Sequence, residues 1–153
     1  MRAPIVRMFG VIVILVSMLS RSVDAAAPAG HYVVTAGSGT VYDTKSKLTW
    51  QQTVSSTTYT WTDAKTYCAG VGTNLGGTGW RLPTIKELQS ILDLSQTAAP
   101  YIDPTAFPAT PSNSFWSSSP VATYPSYAWL VYFSTGSTSG NSITDTKNVR
   151  CVR

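Results

Sequence analysis

Charge is what this chain has least of: 12% of its 153 residues are Asp, Glu, Lys or Arg, about half the usual share. Histidine occurs once, at His31, and cysteine twice, at Cys68 and Cys151. One histidine and two cysteines fall short of a zinc site of the usual kind. A Ser/His/Asp triad would have to combine His31 with Ser117, Ser118 or Ser119, and no nucleophile-elbow pattern surrounds those serines. A solvated histidine in a lead-in segment is the expectation, and no catalytic residue is assigned. Oxygen ligands for calcium are spread along the chain at Asp93, Asp103, Asn113, Asn141 and Asp145 rather than clustered. A single calcium in the long loop is left open; otherwise no metal or cofactor is expected. No block of basic residues offers the usual footprint of a nucleic-acid binder. Nor does any apolar run reach the roughly 20 residues of an ordinary membrane span.

What is present starts with a leader. Arg2 and Arg7 precede an apolar run over residues 8–19, followed by Ser20-Arg21-Ser22 and small residues at Val23, Ala25, Ala26 and Ala27. This is the order of a secretory signal peptide. Val23-x-Ala25 is the best cleavage pattern, because a cut after Ala27 would leave Pro28 at the bond. An uncleaved anchor is the alternative. Residues 1–25 are thus read as signal peptide, 26–39 as a lead-in segment and 40–153 as one domain. Without the leader, eight Lys/Arg and six Asp/Glu remain, so the formal charge falls from +4 to +2. Export, to the periplasm or the cell surface, places both cysteines in an oxidising compartment. A Cys68–Cys151 bridge is expected there, with two buried thiols as the alternative.

The domain is organised around Trp80-Arg81-Leu82-Pro83-Thr84-Ile85-Lys86-Glu87-Leu88. Thr84 and Glu87 have capping-box spacing, Pro83 keeps Leu82 out of helical geometry, and Ile85, Leu88, Ile91 and Leu92 share a face. The pattern predicts a helix from Ile85 to about Asp93, with Arg81 pairing with a carboxylate or carbonyls near its start. An earlier helix is expected from the cap Thr60 through Cys68 or Ala69, stopped by Gly70. Residues 41–43 and 48–51 read as a hairpin, and the lead-in as a possible first strand. Pro100, Pro104, Pro108 and Pro111 make residues 95–114 a long ordered loop. Residues 114–118, 128–133 and 148–152 are strand-like, and 134–141 reads as a turn region. The order is α+β, an antiparallel sheet with segregated helices.

Seven segments in order resemble a bacterial family, the C-terminal domain of the Legionella collagen-like adhesin (Lcl). They are Val41-Tyr42-Asp43 with Leu48-Thr49-Trp50-Gln51; Trp61-x-x-Ala64-x-x-Tyr67-Cys68; Gly79-Trp80-Arg81-Leu82-Pro83-Thr84-x-x-Glu87-Leu88; Ile102-Asp103 with Phe107-Pro108; Phe115-Trp116-Ser117-Ser118; Ala128-Trp129-x-Val131-x-Phe133; and Val149-Arg150-Cys151-Val152-Arg153. The Arg-Leu-Pro-Thr segment is also similar to one in formylglycine-generating enzymes, a group placed with C-type-lectin-like folds. The resemblance implies such a fold: a twisted antiparallel sheet, two helices, a long loop region, and a bridge from the first helix to the last strand. It implies no enzyme, since the additional cysteines of formylglycine-generating enzymes are absent. The calcium-lectin motifs Glu-Pro-Asn, Gln-Pro-Asp and Trp-Asn-Asp are absent too, so calcium-dependent sugar binding is not expected. No collagen-like repeat occurs, and the resemblance does not extend to a trimeric stalk; oligomeric state is left open.

Binding surfaces remain. Tyr101, Tyr124 and Tyr127 lie in or beside the loop region, and aromatic faces stack on sugar rings or anchor a protein partner. Trp50, Trp61, Trp80, Trp116 and Trp129 are read as core. The related adhesin domain is associated with sulfated glycosaminoglycans, which directs attention to Lys45, Lys47, Lys86, Lys147, Arg150 and Arg153. Of these, Lys45, Lys47, Lys147 and Arg150 are the candidate contacts to acidic groups. The sequence therefore reads as an exported, non-enzymatic adhesin-type module for a glycan. A structural or protein-interaction module of the bacterial envelope is the alternative.

Overall fold

The computed structural model of the protein describes residues 28–153. The leader assigned to residues 1–25 lies outside the described residues. Two antiparallel sheets of three strands each form the frame: β1 (Tyr32–Val34), β2 (Thr40–Asp43) and β3 (Thr49–Gln51) in one; β4 (Ser114–Val121), β5 (Tyr124–Tyr132) and β6 (Thr138–Ser142) in the other. Between them come α1 (Trp61–Gly70), a single turn α2 (Gly72–Leu75), and α3 (Ile85–Ser90). The fold is α+β as expected, but with two sheets in place of one.

Each element has a local cause. Asp43 builds the β2–β3 turn: its carboxylate accepts the Lys45 N–H at 2.8 Å and the Ser46 hydroxyl at 2.7 Å. Lys47 completes the turn in the left-handed region, at φ 63°, a conformation uncommon outside glycine. Thr60 caps α1 by accepting the Asp63 N–H. Thr84 and Glu87 form the full capping box of α3, which ends at Ser90, short of Asp93. The long loop stays ordered because it plugs the core: Ile102, Ala106 and Phe107 are buried, while the Asp103 carboxylate accepts the N–H groups of Thr105 and Ala106.

Two sequence expectations change at the C-terminal end. The presumed turn region contains β6, whose pairing with β5 runs from Tyr127↔Ser142 to Val131↔Thr138. Residues 148–152 form no strand; they make single bridges, Asn148 to Phe115 and Val152 to both Trp50 and Arg81. This last segment therefore ties the second sheet to the first and to the approach of α3. Cys151 sits within it, bonded to Cys68 of α1. Both sulfurs are buried in a cluster with Trp80, Leu82, Trp116 and Leu130. A second cluster joins Trp50, Leu88, Ile102, Phe107, Phe115 and Phe133.

Candidate functional site

Side chains alternate across a strand, and on β5 the alternation decides what solvent meets. Ala128 and Leu130 are fully buried, whereas Tyr127 is 42% exposed and Trp129 is half-buried. Tyr124, at the start of β5, is 62% exposed. Its ring meets that of Tyr127 edge to face, with centroids 5.9 Å apart and planes at 63°. With Val121, Trp129 and Gly140 these rings line an apolar groove of about 380 Å³. Gly140 is the partner of Trp129 in the β5–β6 register. A Cβ there would stand 3.0 Å from Val121 Cγ2, so the missing side chain keeps the floor open.

The groove rests on a rigid base. β4 slips register between Trp116 and Pro120, and the displaced serines hold both helices. The Ser117 carbonyl accepts the Trp61 indole N–H at 2.7 Å, the Ser118 N–H donates to the Pro83 carbonyl at 2.7 Å, and Ser119 Oγ accepts the Ile85 N–H at 3.1 Å. The pivotal stretch is thereby docked under β4. Trp80, Leu82 and Pro83 are buried, and Arg81 pairs with Glu87 at 2.7 Å. Each charge of that pair already has its counter-ion.

A second depression, of about 460 Å³, lies beside α1 and is lined by Thr58, Tyr59, Thr60, Asp63, Tyr67 and Thr146 among others. Tyr59 and Tyr67 stack in it with centroids 4.7 Å apart. The Tyr67 hydroxyl accepts from Gln51 Nε2 at 3.0 Å.

The basic candidates do not assemble with the aromatic ones. Lys45 and Lys47 are exposed on the β2–β3 turn, where Lys45 lines a depression that includes Asp93 and Asp103. Lys147 stands elsewhere, bridged through its backbone to Tyr59 and 3.8 Å from the Asp145 carboxylate. Arg150 is not on the surface at all. It is fully buried, donates to the carbonyls of Gln51 and Gln52 at 2.7 and 2.5 Å and to Thr110 Oγ1 at 2.6 Å, and lies over the Phe107 ring. Burial pushes its guanidinium down to about 9, with Tyr32 opposing the shift. Arg150 is an internal tie, and the expectation of a ligand contact is corrected by its burial. Of the other cations, Arg153 lies over Trp80 and Lys65 over Trp61.

Tyr101 is also remote from the groove. Its N–H donates to the Phe133 carbonyl at 2.8 Å, just past the far end of β5, on the order of 25–30 Å from Tyr124 along the strand. His31 is not solvated as expected: its side chain is 13% exposed, 3.1 Å from Asp43 and stacked on Tyr32. Among the described residues no group of three or more His, Cys, Asp or Glu could hold a metal ion.

Residues 39–153 match the Lcl C-terminal domain family. The chain belongs to that family. No curated protein matches it significantly. Membership in the Lcl C-terminal family suggests an adhesin-type module, and the adhesin association together with the buried disulfide is consistent with export. Among the described residues no helix is long and apolar enough to cross a membrane.

Sequence reasoning found Tyr124 and Tyr127 but assigned Trp129 to the core and gave Val121 and Gly140 no role. One signal was available. Tyr127 and Trp129 are two apart in a strand, so they share a face, opposite Ala128 and Leu130. Gly140 had none, because its place opposite Trp129 depends on a strand that the composition of residues 134–141 conceals.

Proposed function

We propose that this Lcl C-terminal domain is an exported adhesin-type module that binds a glycan without catalysing a reaction, and that the groove of Tyr124, Tyr127 and Trp129 is its contact surface. The observation that carries this reading is the exposed, edge-to-face tyrosine pair at the tip of the β4–β5 hairpin. Large exposed rings are costly to leave in water and offer flat apolar faces to the C–H face of a sugar. None of the residues lining the groove is charged, which supports a ligand met by stacking in preference to ion pairing. The dispersal of the lysines and the burial of Arg150 weigh against a sulfated polysaccharide. Kinship with C-type-lectin-like folds belongs to the same reading, supported by two helices beside antiparallel sheets and a bridge joining the first helix to the C-terminal segment.

The test is an array of neutral and sulfated polysaccharides probed with the oxidised protein at low and moderate salt, with and without calcium. Salt-insensitive, calcium-independent binding to neutral glycans is expected, reduced at least tenfold by Tyr124→Ala or Tyr127→Ala. Salt-sensitive binding confined to sulfated glycans would overturn the groove and move the site to Lys45, Lys47 and Lys147. Absence of glycan binding by folded protein would overturn the glycan and leave an envelope protein as the partner, for which the apolar groove is also suited.

A further inference from the structure

We infer that the open edge of β6 pairs with β6 of a second copy of this chain, antiparallel and centred on Gly140, joining two domains through one six-stranded sheet. The inference goes beyond the glycan reading: it assigns a partner to a surface outside the groove, and its test needs no ligand.

The fold covers its other sheet edges. Along β3, Thr49 and Arg153 exchange both backbone bonds at 2.8 and 2.9 Å, and the Gln51 N–H donates to the Cys151 carbonyl at 2.9 Å. Along β4, the Trp116 N–H donates to the Asn148 carbonyl at 3.1 Å and the Ser118 N–H to the Pro83 carbonyl at 2.7 Å. β1 has the long loop beside it, where Tyr32 and Val34 share a depression with Asp103, Thr105 and Ala106. β6 differs. It pairs with β5 on one side, and among the described residues no strand or isolated bridge meets the other. The devices that usually blunt a bare edge are missing as well. Thr138-Ser139-Gly140-Asn141-Ser142 holds no charge and no proline, and its register with β5 runs without a bulge.

The ladder determines which backbone groups this edge presents. In an antiparallel pair, opposed residues alternate between exchanging two bonds and exchanging none. The Ile143 N–H donates to the Ser126 carbonyl at 2.9 Å, and the Tyr132 N–H to the Ser137 carbonyl at 2.8 Å. Between these, Ala128↔Asn141 and Leu130↔Ser139 are therefore the bonded pairs. Thr138, Gly140 and Ser142 are left with N–H and C=O aimed away from β5, spaced symmetrically about Gly140. An antiparallel copy in that register sets Gly140 against Gly140 and each Thr138 against a Ser142. Every outward N–H then meets an outward carbonyl. The Ser142 carbonyl already accepts the Asp145 N–H at 3.0 Å and keeps a second lone pair for this bond. Because the five side chains are small and neutral, partner choice falls to the backbone pattern, which an identical strand matches at each outward group. Opposed residues share a face, so both grooves open on the same side of the joint sheet. Trp129 lies opposite Gly140, which puts the two Trp129 backbones about 14 Å apart, three strand spacings.

The experiment is sedimentation of the oxidised protein over a concentration series, without ligand. A short ladder makes a weak interface, and a reversible dimer with a dissociation constant on the order of 10–100 μM is expected. Two double variants read the register. Thr138→Lys with Ser142→Lys sets like charges opposite each other across the pair and should weaken the dimer at least tenfold. Thr138→Glu with Ser142→Lys sets opposite charges there and should keep the dimer. Hydrogen exchange at the Thr138, Gly140 and Ser142 amides should slow as the native dimer forms. A monomer throughout the series, a dimer that survives the paired lysines, one that both variants dissolve, or exchange independent of concentration overturns the edge pairing. Thermal melts confirm that each variant is folded. The glycan reading is untouched by any of these results, since it stands on the array and the tyrosine variants.

Discussion

Arg81 and Glu87 form a two-point ion pair on the outside of the turn that starts α3, Nη1 to Oε2 at 2.8 Å and Nη2 to Oε1 at 2.7 Å. The same Glu87 Oε2 accepts the Thr84 N–H at 2.7 Å and the Thr84 hydroxyl at 2.9 Å. One carboxylate therefore closes the capping box and holds the strand-like approach against the helix.

A pH dependence follows. The Arg81 hydrogen bonds, helped by Thr84 and opposed by burial, lower Glu87 from the usual 4.5 to about 2. Because the folded value lies below the unfolded one, the ionised group stabilises the fold fully above pH 4.5 and progressively less as pH falls toward 2. Urea midpoints measured from pH 5 to 2 should fall more steeply for the native chain than for Glu87→Gln, which keeps a capping side chain without the titration. The two curves should converge near pH 2; parallel curves would remove Glu87 as the cause. At neutral pH, Glu87→Ala, which also loses the cap, should cost about 1 kcal/mol more than Glu87→Gln.

Arg150 should behave as a structural residue. Arg150→Ala leaves the carbonyls of Gln51 and Gln52 and the Thr110 hydroxyl without their buried donor, at about 1–3 kcal/mol for each unsatisfied group. Loss of several kcal/mol in chemical denaturation is expected, and Arg150→Lys should recover only part of it because a single ammonium cannot replace the fork. Glycan affinity per folded molecule should not change.

The disulfide spans 83 positions, so in the chain-entropy model it stabilises the fold by about 4–5 kcal/mol. It also fixes the segment whose Val152 bridges both Trp50 and Arg81. Reduction, or Cys68→Ala with Cys151→Ala, should lower the thermal midpoint by many degrees. A thiol assay on the native protein should find no free cysteine; an unchanged midpoint after reduction would contradict the assignment.

Gly140 tests the floor of the groove without removing a ring. A Cβ at this position approaches Val121 Cγ2 at 3.0 Å and Tyr127 Cδ1 at 4.0 Å, and valine is favoured in a strand. Gly140→Val should remain within about 1 kcal/mol of native stability while weakening glycan binding at least tenfold. Undiminished binding would place the ligand away from Gly140.

What the sequence determined by itself is whatever depends on neighbours in the chain. Thr84 and Glu87, three apart, declare the start of α3. Thr60 does the same for α1, and residues 41–51 form their hairpin around Asp43. The burial of Trp50, Trp80 and Trp116 was legible from their settings, and the pairing of Cys68 with Cys151 from the compartment. Only the tertiary structure decided the remainder. Residues 138–142 are small and polar, without the alternation of a half-buried strand, and pair only because β5 offers its edge to them. Arg150 reads as a surface charge until three acceptors from β3, the residue after it, and the long loop converge on it. Trp129 reads as core until the register sets it opposite a glycine. In each case the deciding partner lies across the fold, and its free energy appears only once the chain has closed the distance.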